Sequence, residues 1–530
     1  MTHATTVWQA NRSGGLTGAE ALIETSLAAG VDVCFANPGT TEMPLVAALD
    51  SVPGTRAVLG LFEGVCTGAA DGYARIAGRP AMTLLHLGPG FANGIANLHN
   101  ARRAHSPVFN VIGDHASWHL VHDAPLTSDI VSLANPVSGW VGTAASGAGL
   151  AQLTARAVAA ATAAPGCGAT LIAPADFQQE VLRTPVDVEL SHPRSRPEVA
   201  ADVIDAIAKR LRAGERAVLL LGGAALDERG QRAAARIAAA TGAVLYSETF
   251  PAAAERGGGL PDLDRLPYFP EKAIEALTGA QLVVLAGALE PVSYFGYEGV
   301  PSLLAPYGTV EVLSTPEEDA ARALEFLAAA LGAPEPAPQP LRPDDEGLPD
   351  GALTPQSVGR IVSAMLPEHA IVSVEGGTCG YPFFTASSRA ARHTALTNTG
   401  GAIGQGLPAA VGAAIAAPGR KVVALQSDGS AQYTIQSLWT MAREQLPVVT
   451  LIASNRAYNV LRTELGRHGQ SRPGPGATAL TSLDGPAFDW PALARGYGVP
   501  GTRVETGEAL RRELGRALAA DGPQLIEMAL

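Results

Sequence analysis

Cysteine is scarce: four residues in 530, Cys34, Cys66, Cys167 and Cys379, with no C-x-x-C pair among them. That excludes a disulfide framework and a cysteine zinc site, and it suits a reducing compartment, so a cytoplasmic location is expected. Basic charge is also short: 37 Lys and Arg against 50 Asp and Glu give a formal net charge of −13. An acidic chain repels polyanions, so neither nucleic acid nor an anionic membrane surface is an expected partner. Any phosphate site must then be built from backbone N–H groups and a metal, not from a basic patch. No apolar stretch reaches the roughly 18 residues that span a bilayer. The segment MTHATTVWQANRSGG lacks the basic-then-apolar order of a signal peptide.

What is present is a globular composition, 47% hydrophobic with 59 Gly and 39 Pro. The chain is too long for one core, so two to four domains are expected. Two polar, Pro-bearing segments, Arg183–Val199 and Gly332–Gly351, read as linkers. They separate three blocks, 1–185, 197–332 and 352–530. Each block alternates short β-branched runs with Ala-rich helical stretches. The first has VDVCFANPG, AMTLLHLGPG and VFNVIGD; the second AVLLLGG and LVVLAGA; the third AIVSVEGG, VVALQSDGS and VVTLIASN. Apolar runs without alternation indicate strands buried on both faces. The expected fold class is α/β, with three doubly wound parallel-sheet domains. Strands ending in Gly or small polar residues place candidate ligand positions at the carboxyl edge of each sheet.

The clearest such edge lies between Val422 and Leu461. A strand leads into Asp428-Gly429-Ser430, a helical pattern follows, and a second strand ends at Asn455. In a βαβ unit both strands end at the same edge, which puts Asp428 beside Asn455. A carboxylate, an amide oxygen and a nearby carbonyl form a hard oxygen set suited to Mg²⁺ or Ca²⁺. Gly429 and Ser430 open a helix whose free N–H groups can take a phosphate. Asp and Ser also cap helices without any ligand; the matched strand ends favour the metal.

This stretch resembles the signature of the thiamine-diphosphate enzymes. The resemblance covers nearly the whole chain, through FANPGTTEMPLVAAL and LFEGVCTGAADGYARIAGRPAMTLLHLGPGFANGIANLHN in the first block. TGGAIGQGLPAAVGAA and FDWPALARGYGVP carry it in the third. It is similar to the benzoylformate decarboxylases and the acetolactate synthase large subunits. The resemblance implies a pyrimidine-binding, a middle and a diphosphate-binding domain, in that order. It also implies thiamine diphosphate with Mg²⁺ held by Asp428, Asn455 and the carbonyl of Ala457. One position departs: Ser427 stands where the family has glycine. By the same resemblance Gly377, Thr378, Cys379, Gly429, Ser430, Tyr458, Asn459 and Val460 line the cofactor, and Ile403 props it into a bent shape. Glu63 would hydrogen-bond its pyrimidine ring and activate it. The middle domain lacks a strict G-x-G-x-x-G fingerprint, so FAD is left out of the expected cofactors.

The implied reaction adds a small 2-oxo acid to the activated cofactor and loses CO₂ through an enamine. Aldehyde release or carboligation to a carbonyl acceptor follows. Acid–base groups decide between them. His86 matches an active-site histidine of benzoylformate decarboxylase, and Thr40 matches its substrate-contacting serine. Phe295 stands where that enzyme has a second histidine, and a substrate pocket of Thr40, His86, Phe295, Val460 and Leu461 is mainly apolar. His115, His119 and His122 fall within eight residues, at a spacing that suits one helical face and leaves metal binding open. The favoured reading is a loop from which one of them, such as His115, relays protons. The family pattern implies a homodimer or homotetramer with active sites shared between subunits. Two alternatives stand beside the decarboxylase/carboligase reading: an acetolactate synthase-type transferase, and a non-catalytic cofactor-binding relative.

Overall fold

The apolar runs become strands, and they lie parallel because each returns through a helix. A computed structural model describes residues 2–7, 15–191, 195–335, 347–470 and 472–530. Its first sheet has six strands in the spatial order Arg56–Leu59, Val33–Asn37, Ala81–His86, Val108–Asp114, Gly168–Pro174, Trp140–Thr143. All neighbours are parallel. Val108–Asp114 and Gly168–Pro174 are buried at every position, as strands covered on both faces must be. A second parallel sheet runs Asp264–Arg265, Val244–Ser247, Ala217–Leu221, Leu282–Ala286, Val310–Ser314. A third has five consecutive parallel strands, Ala370–Val374, Val422–Ser427, Val448–Ser454, Gln524–Ala529, Gly501–Val504. The fold class is therefore α/β with three parallel sheets, as the apolar runs implied.

The chain forms two compact units. One combines Met1–Arg194, Ile371–Cys379 and Asn398–Leu530, and so carries the first sheet and the parallel part of the third. The other combines Ser195–Ala370 with Gly380–Thr397. This second unit takes a piece of the third block because His393–Thr397 pairs antiparallel with Ala253–Arg256. The segment Arg183–Val199 is not simply a linker. Val186–Ser191 is a strand paired with Thr2–Val7, and Val186, Val188 and Leu190 alternate inward, a period-2 pattern hidden by the flanking prolines. The core of the other proposed linker, 336–346, lies outside the described residues.

Within the first unit, the helix Glu63–Ala77 packs on the helix Gly406–Ala416 almost backbone to backbone. A Cβ on Gly72 would lie 2.2 Å from the Ala409 carbonyl oxygen, and one on Gly412 only 1.9 Å from that of Ala69. Only glycine permits this approach. A buried Asp71–Arg75 pair (2.7 Å) reinforces it: Gln405 donates to Asp71 at 3.0 Å and Arg75 to Thr399 at 3.2 Å. The first block's helix is thereby tied to the third block's turn.

In the second unit His393 is a buried neutral base. Its Nδ1–H donates to the Ala391 carbonyl (2.8 Å), and Nε2 has no partner. Burial, with Arg256 and Arg392 nearby, pushes its pKa down to about 4. The unfolded chain therefore takes up a proton near pH 6.5 that the folded chain refuses. Stability is complete above that value and falls as pH drops toward 4, by about 2 kcal/mol at pH 5. In His393→Asn, which keeps a donor for Ala391, denaturant unfolding at pH 7.5 and pH 5.0 should show this acid loss reduced.

Candidate active site

Asp428 and Asn455 end neighbouring strands whose register pairs Gln426 with Ile452 and Ser427 with Ala453. The two ends touch: the Arg456 N–H donates to Asp428 Oδ2 at 2.7 Å, and the Gly429 N–H to Oδ1 at 2.9 Å. Arg456 achieves this with a left-handed φ of 54°, rare outside glycine and costing about 1–2 kcal/mol. Its guanidinium turns away to Asp484 (3.0 Å). Asp428 is thus a carboxylate only 1% exposed, held by backbone donors, and no cationic side chain among the described residues forms an ion pair with it. Burial raises its pKa above the usual carboxylate range. Asn455 Oδ1 accepts the Ala457 N–H (3.0 Å), and its amide donates to Thr378 Oγ1 (3.2 Å). Carboxylate, amide and carbonyl oxygens around an uncompensated buried charge fit a hard divalent cation. Ser427 has ordinary extended backbone (φ −97°), and its hydroxyl lies against Gly376, where a Cβ would come within 2.2 Å of it. The family's glycine is thus replaced by a serine whose side chain is accommodated by a glycine on the adjacent strand end.

The turn bearing Ile403 is gripped by Glu375, a residue sequence reasoning passed over. Its buried carboxylate accepts the N–H groups of Gly404 (2.6 Å), Gln405 (3.3 Å) and Gly406 (2.7 Å), capping the helix that follows. Burial still raises its pKa despite these donors. Asn97 then joins this turn to the first block, donating to the carbonyls of Gly64 (2.7 Å) and Gly404 (3.3 Å). Thr434, just past Ser430, donates to Gly404 as well (2.8 Å).

Glu63 is the first residue of the helix Glu63–Ala77, where a negative charge is favoured by the helix dipole. Its Oε2 accepts from Asn93 at 3.0 Å. His86 ends the strand Ala81–His86 and is followed by Leu87, a buried leucine with φ 53°. Gly90 brings the two together: a Cβ there would lie 3.1 Å from Glu63 Oε1 and 3.4 Å from His86 Cβ. His86 Nδ1 meets Glu42 Oε2 at 2.8 Å. The hydroxyl on His86 is that of Thr41 (3.2 Å); Thr40 is exposed.

The other candidate residues spread more widely. Gly377, Thr378 and Cys379 begin the helix Gly377–Ala386. Cys379 is buried, which pushes its thiol up to about 12 and leaves it a neutral wall. The Tyr458 ring covers Gly429, where a Cβ would lie 2.5 Å from it. Asn459, Val460 and Leu461 open the next helix with their side chains exposed. Phe295 belongs to the second unit, half-exposed beside Tyr294. His115, His119 and His122 lie on no α-helix; only the three-residue turn Leu120–His122 is helical. Their rings meet edge-on or tilted, 5.5–5.6 Å between centroids, and among the described residues no group of three or more His, Cys, Asp or Glu could hold a metal. His115 Nε2 is buried without a partner.

With buried oxygen donors on one sheet edge and a glutamate and histidine on another, the chain belongs to the thiamine pyrophosphate enzymes. Residues 16–133 match the N-terminal TPP binding domain of that family and residues 377–528 the C-terminal TPP binding domain. It is similar to the protein named "Putative acetolactate synthase large subunit IlvX" of Mycobacterium tuberculosis, 50% identical over 97% of this chain and 99% of that one. It is also similar to benzoylformate decarboxylase of Pseudomonas aeruginosa, 30% identical over 94% and 96% of the two chains. Among solved structures, the thiamine diphosphate-dependent 4-hydroxybenzoylformate decarboxylase of Rhodococcus jostii RHA1 superposes with a TM-score of 0.83 at 27% identity, covering 96% of this chain and 98% of that one. Among the described residues no helix is long and apolar enough to cross a membrane.

Proposed function

We propose that this chain decarboxylates a small 2-oxo acid with thiamine diphosphate and Mg²⁺, then releases an aldehyde or joins the retained fragment to a carbonyl acceptor. The observation that carries this reading is the approach of Glu63 and His86 to either side of Gly90. A carboxylate and an imidazole beside one helix start can hold and move protons where a substrate carbonyl would react. Asp428, Asn455 and the Ala457 carbonyl would hold the metal; the Ser430 N–H, with Thr378, would receive the diphosphate over Gly429, whose own N–H stays on Asp428. When bound, thiamine diphosphate supplies an electron sink for the bond next to a carbonyl. Glu63 would hold a proton at its carboxylate against the pyrimidine, and Ile403 would press on the bound group from the Glu375-gripped turn. His86 would exchange a proton at Nε2 with the substrate-derived fragment. Val460 and Leu461 would keep that fragment dry. The assembly proposed for it is a homodimer or homotetramer with active sites shared between subunits.

The names of the relatives carry two chemistries, acetolactate synthesis and benzoylformate decarboxylation. Acetolactate-type transfer is therefore the second reading. A CO₂-release assay with benzoylformate, pyruvate and a wider set of 2-oxo acids decides first whether turnover occurs. Product analysis then separates aldehyde from hydroxyketone. Tight cofactor binding with no CO₂ from any substrate would sink the decarboxylase reading and leave a non-catalytic binding protein.

A further inference from the structure

Beneath His86 lies a carboxylate that no part of the proposed chemistry uses. Glu42 ends the three-residue turn Thr40–Glu42 after the strand Val33–Asn37 and is fully buried, at 0% exposure. Both its oxygens face donors. Oε2 accepts the Gly39 N–H at 2.7 Å and faces His86 Nδ1 at 2.8 Å; Oε1 accepts the Thr41 hydroxyl at 2.5 Å. Thr41 Oγ1 in turn stands 3.2 Å from His86 Nδ1. Capping the turn explains only the Gly39 bond, and a buried carboxylate needs compensation that one N–H does not provide.

Two glycines give the pair its room. A Cβ on Gly39 would lie 2.4 Å from the His86 ring, and a Cβ on Gly113 only 1.8 Å from Glu42 Oε1. Neither position needs glycine for its backbone angle, since neither has a positive φ. Both admit the carboxylate–imidazole contact and nothing larger. Asp114 is a second buried carboxylate next to Gly113; burial first, then Glu42, raises its pKa. It is already engaged by the His115 N–H at 2.8 Å.

We propose that Glu42 is the positioning residue of the proton-transfer machinery, holding His86 as the Nδ1–H tautomer so that Nε2 alone faces the reacting group. An ionised carboxylate only accepts, so the proton between it and His86 sits on Nδ1. The Nε2 lone pair is then the one free to take a proton. In the working cycle Nε2 takes a proton from solvent and passes it to the substrate-derived fragment, which restores the neutral Nδ1–H form, while Nδ1–H stays bound to Glu42 throughout. The inference rests on the 2-oxo acid reading above, but its structural half can be tested without turnover.

The test is ¹⁵N NMR of histidine-labelled, full-length protein, with the His86 signals assigned by their absence from His86→Asn. Wild type should show a protonated Nδ1 and an unprotonated Nε2 above neutral pH. Glu42→Gln should mix the tautomers and lower kcat about 10²-fold or more while KM changes less than about threefold. Gly39→Ala, which presses on the ring and leaves Glu42 in place, should do the same and serves if the glutamine variant does not fold. Thr41→Val should keep the tautomer. A single unchanged tautomer in both Glu42→Gln and Gly39→Ala, or a mixed one with unaltered kcat, overturns the proposal. If wild type turns over no 2-oxo acid, the functional reading fails, and the tautomer alone then decides what Glu42 does.

Discussion

Glu63→Gln should abolish most turnover, lowering kcat by about 10²–10⁴-fold, while leaving the fold and the metal site intact. Glutamine keeps the shape of the side chain and the acceptor for Asn93. It also keeps contact with Gly90, so binding and packing should survive. What it removes is a proton-holding group at the one place where the first block's helix meets His86. The partial exposure of Glu63 makes a stability change of more than about 1 kcal/mol unexpected. Cofactor affinity measured by calorimetry, together with single-turnover CO₂ release, separates the two effects. Wild-type turnover in this variant would remove Glu63 from the mechanism altogether.

The second large effect belongs to Asp428. Its folded pKa is raised by burial, so the folded chain binds this proton more tightly than the unfolded chain does. Its contribution is favourable below the unfolded carboxylate range and is lost as pH rises through the folded value. At neutral pH the ionised, cation-free form is therefore a burden. Asp428→Asn removes that charge, so the stability of the cofactor-free variant should fall less than wild type's as pH rises toward 7.5. The same change should eliminate turnover and the rise in unfolding temperature that Mg²⁺ with thiamine diphosphate gives wild type. A variant that Mg²⁺ still stabilises would overturn the assignment of Asp428 as a ligand.

The sequence made the Asp428–Asn455 juxtaposition legible because one βαβ unit is a local object: strand, helix and strand are consecutive, and parallel topology dictates where they end. The parallel sheets were legible for the same reason. Glu42 was not, because NPGTTEMP reads as an ordinary turn and its partner His86 stands 44 positions away. Glu375 was hidden likewise: its three amide donors belong to a turn some thirty residues on, and spacing carries no signal for that. Thr41 rather than Thr40 reaches His86 because the side chains of a tight turn point in different directions, a detail set by backbone angles. Val186–Ser191 was masked by prolines on either side of a six-residue strand. The departure at Ser427 became intelligible only beside Gly376, fifty-one residues earlier.

The two helices that meet through Gly72 and Gly412 have a mechanical consequence. Because backbone touches backbone, no side chain is available there to flex, rotate or compress. Sliding one helix by a single residue would displace Glu63 relative to the Ile403 turn by about 1.5 Å, enough to spoil a reaction geometry. The seam therefore works as a fixed gauge for the spacing between Glu63 and the turn that bears Ile403.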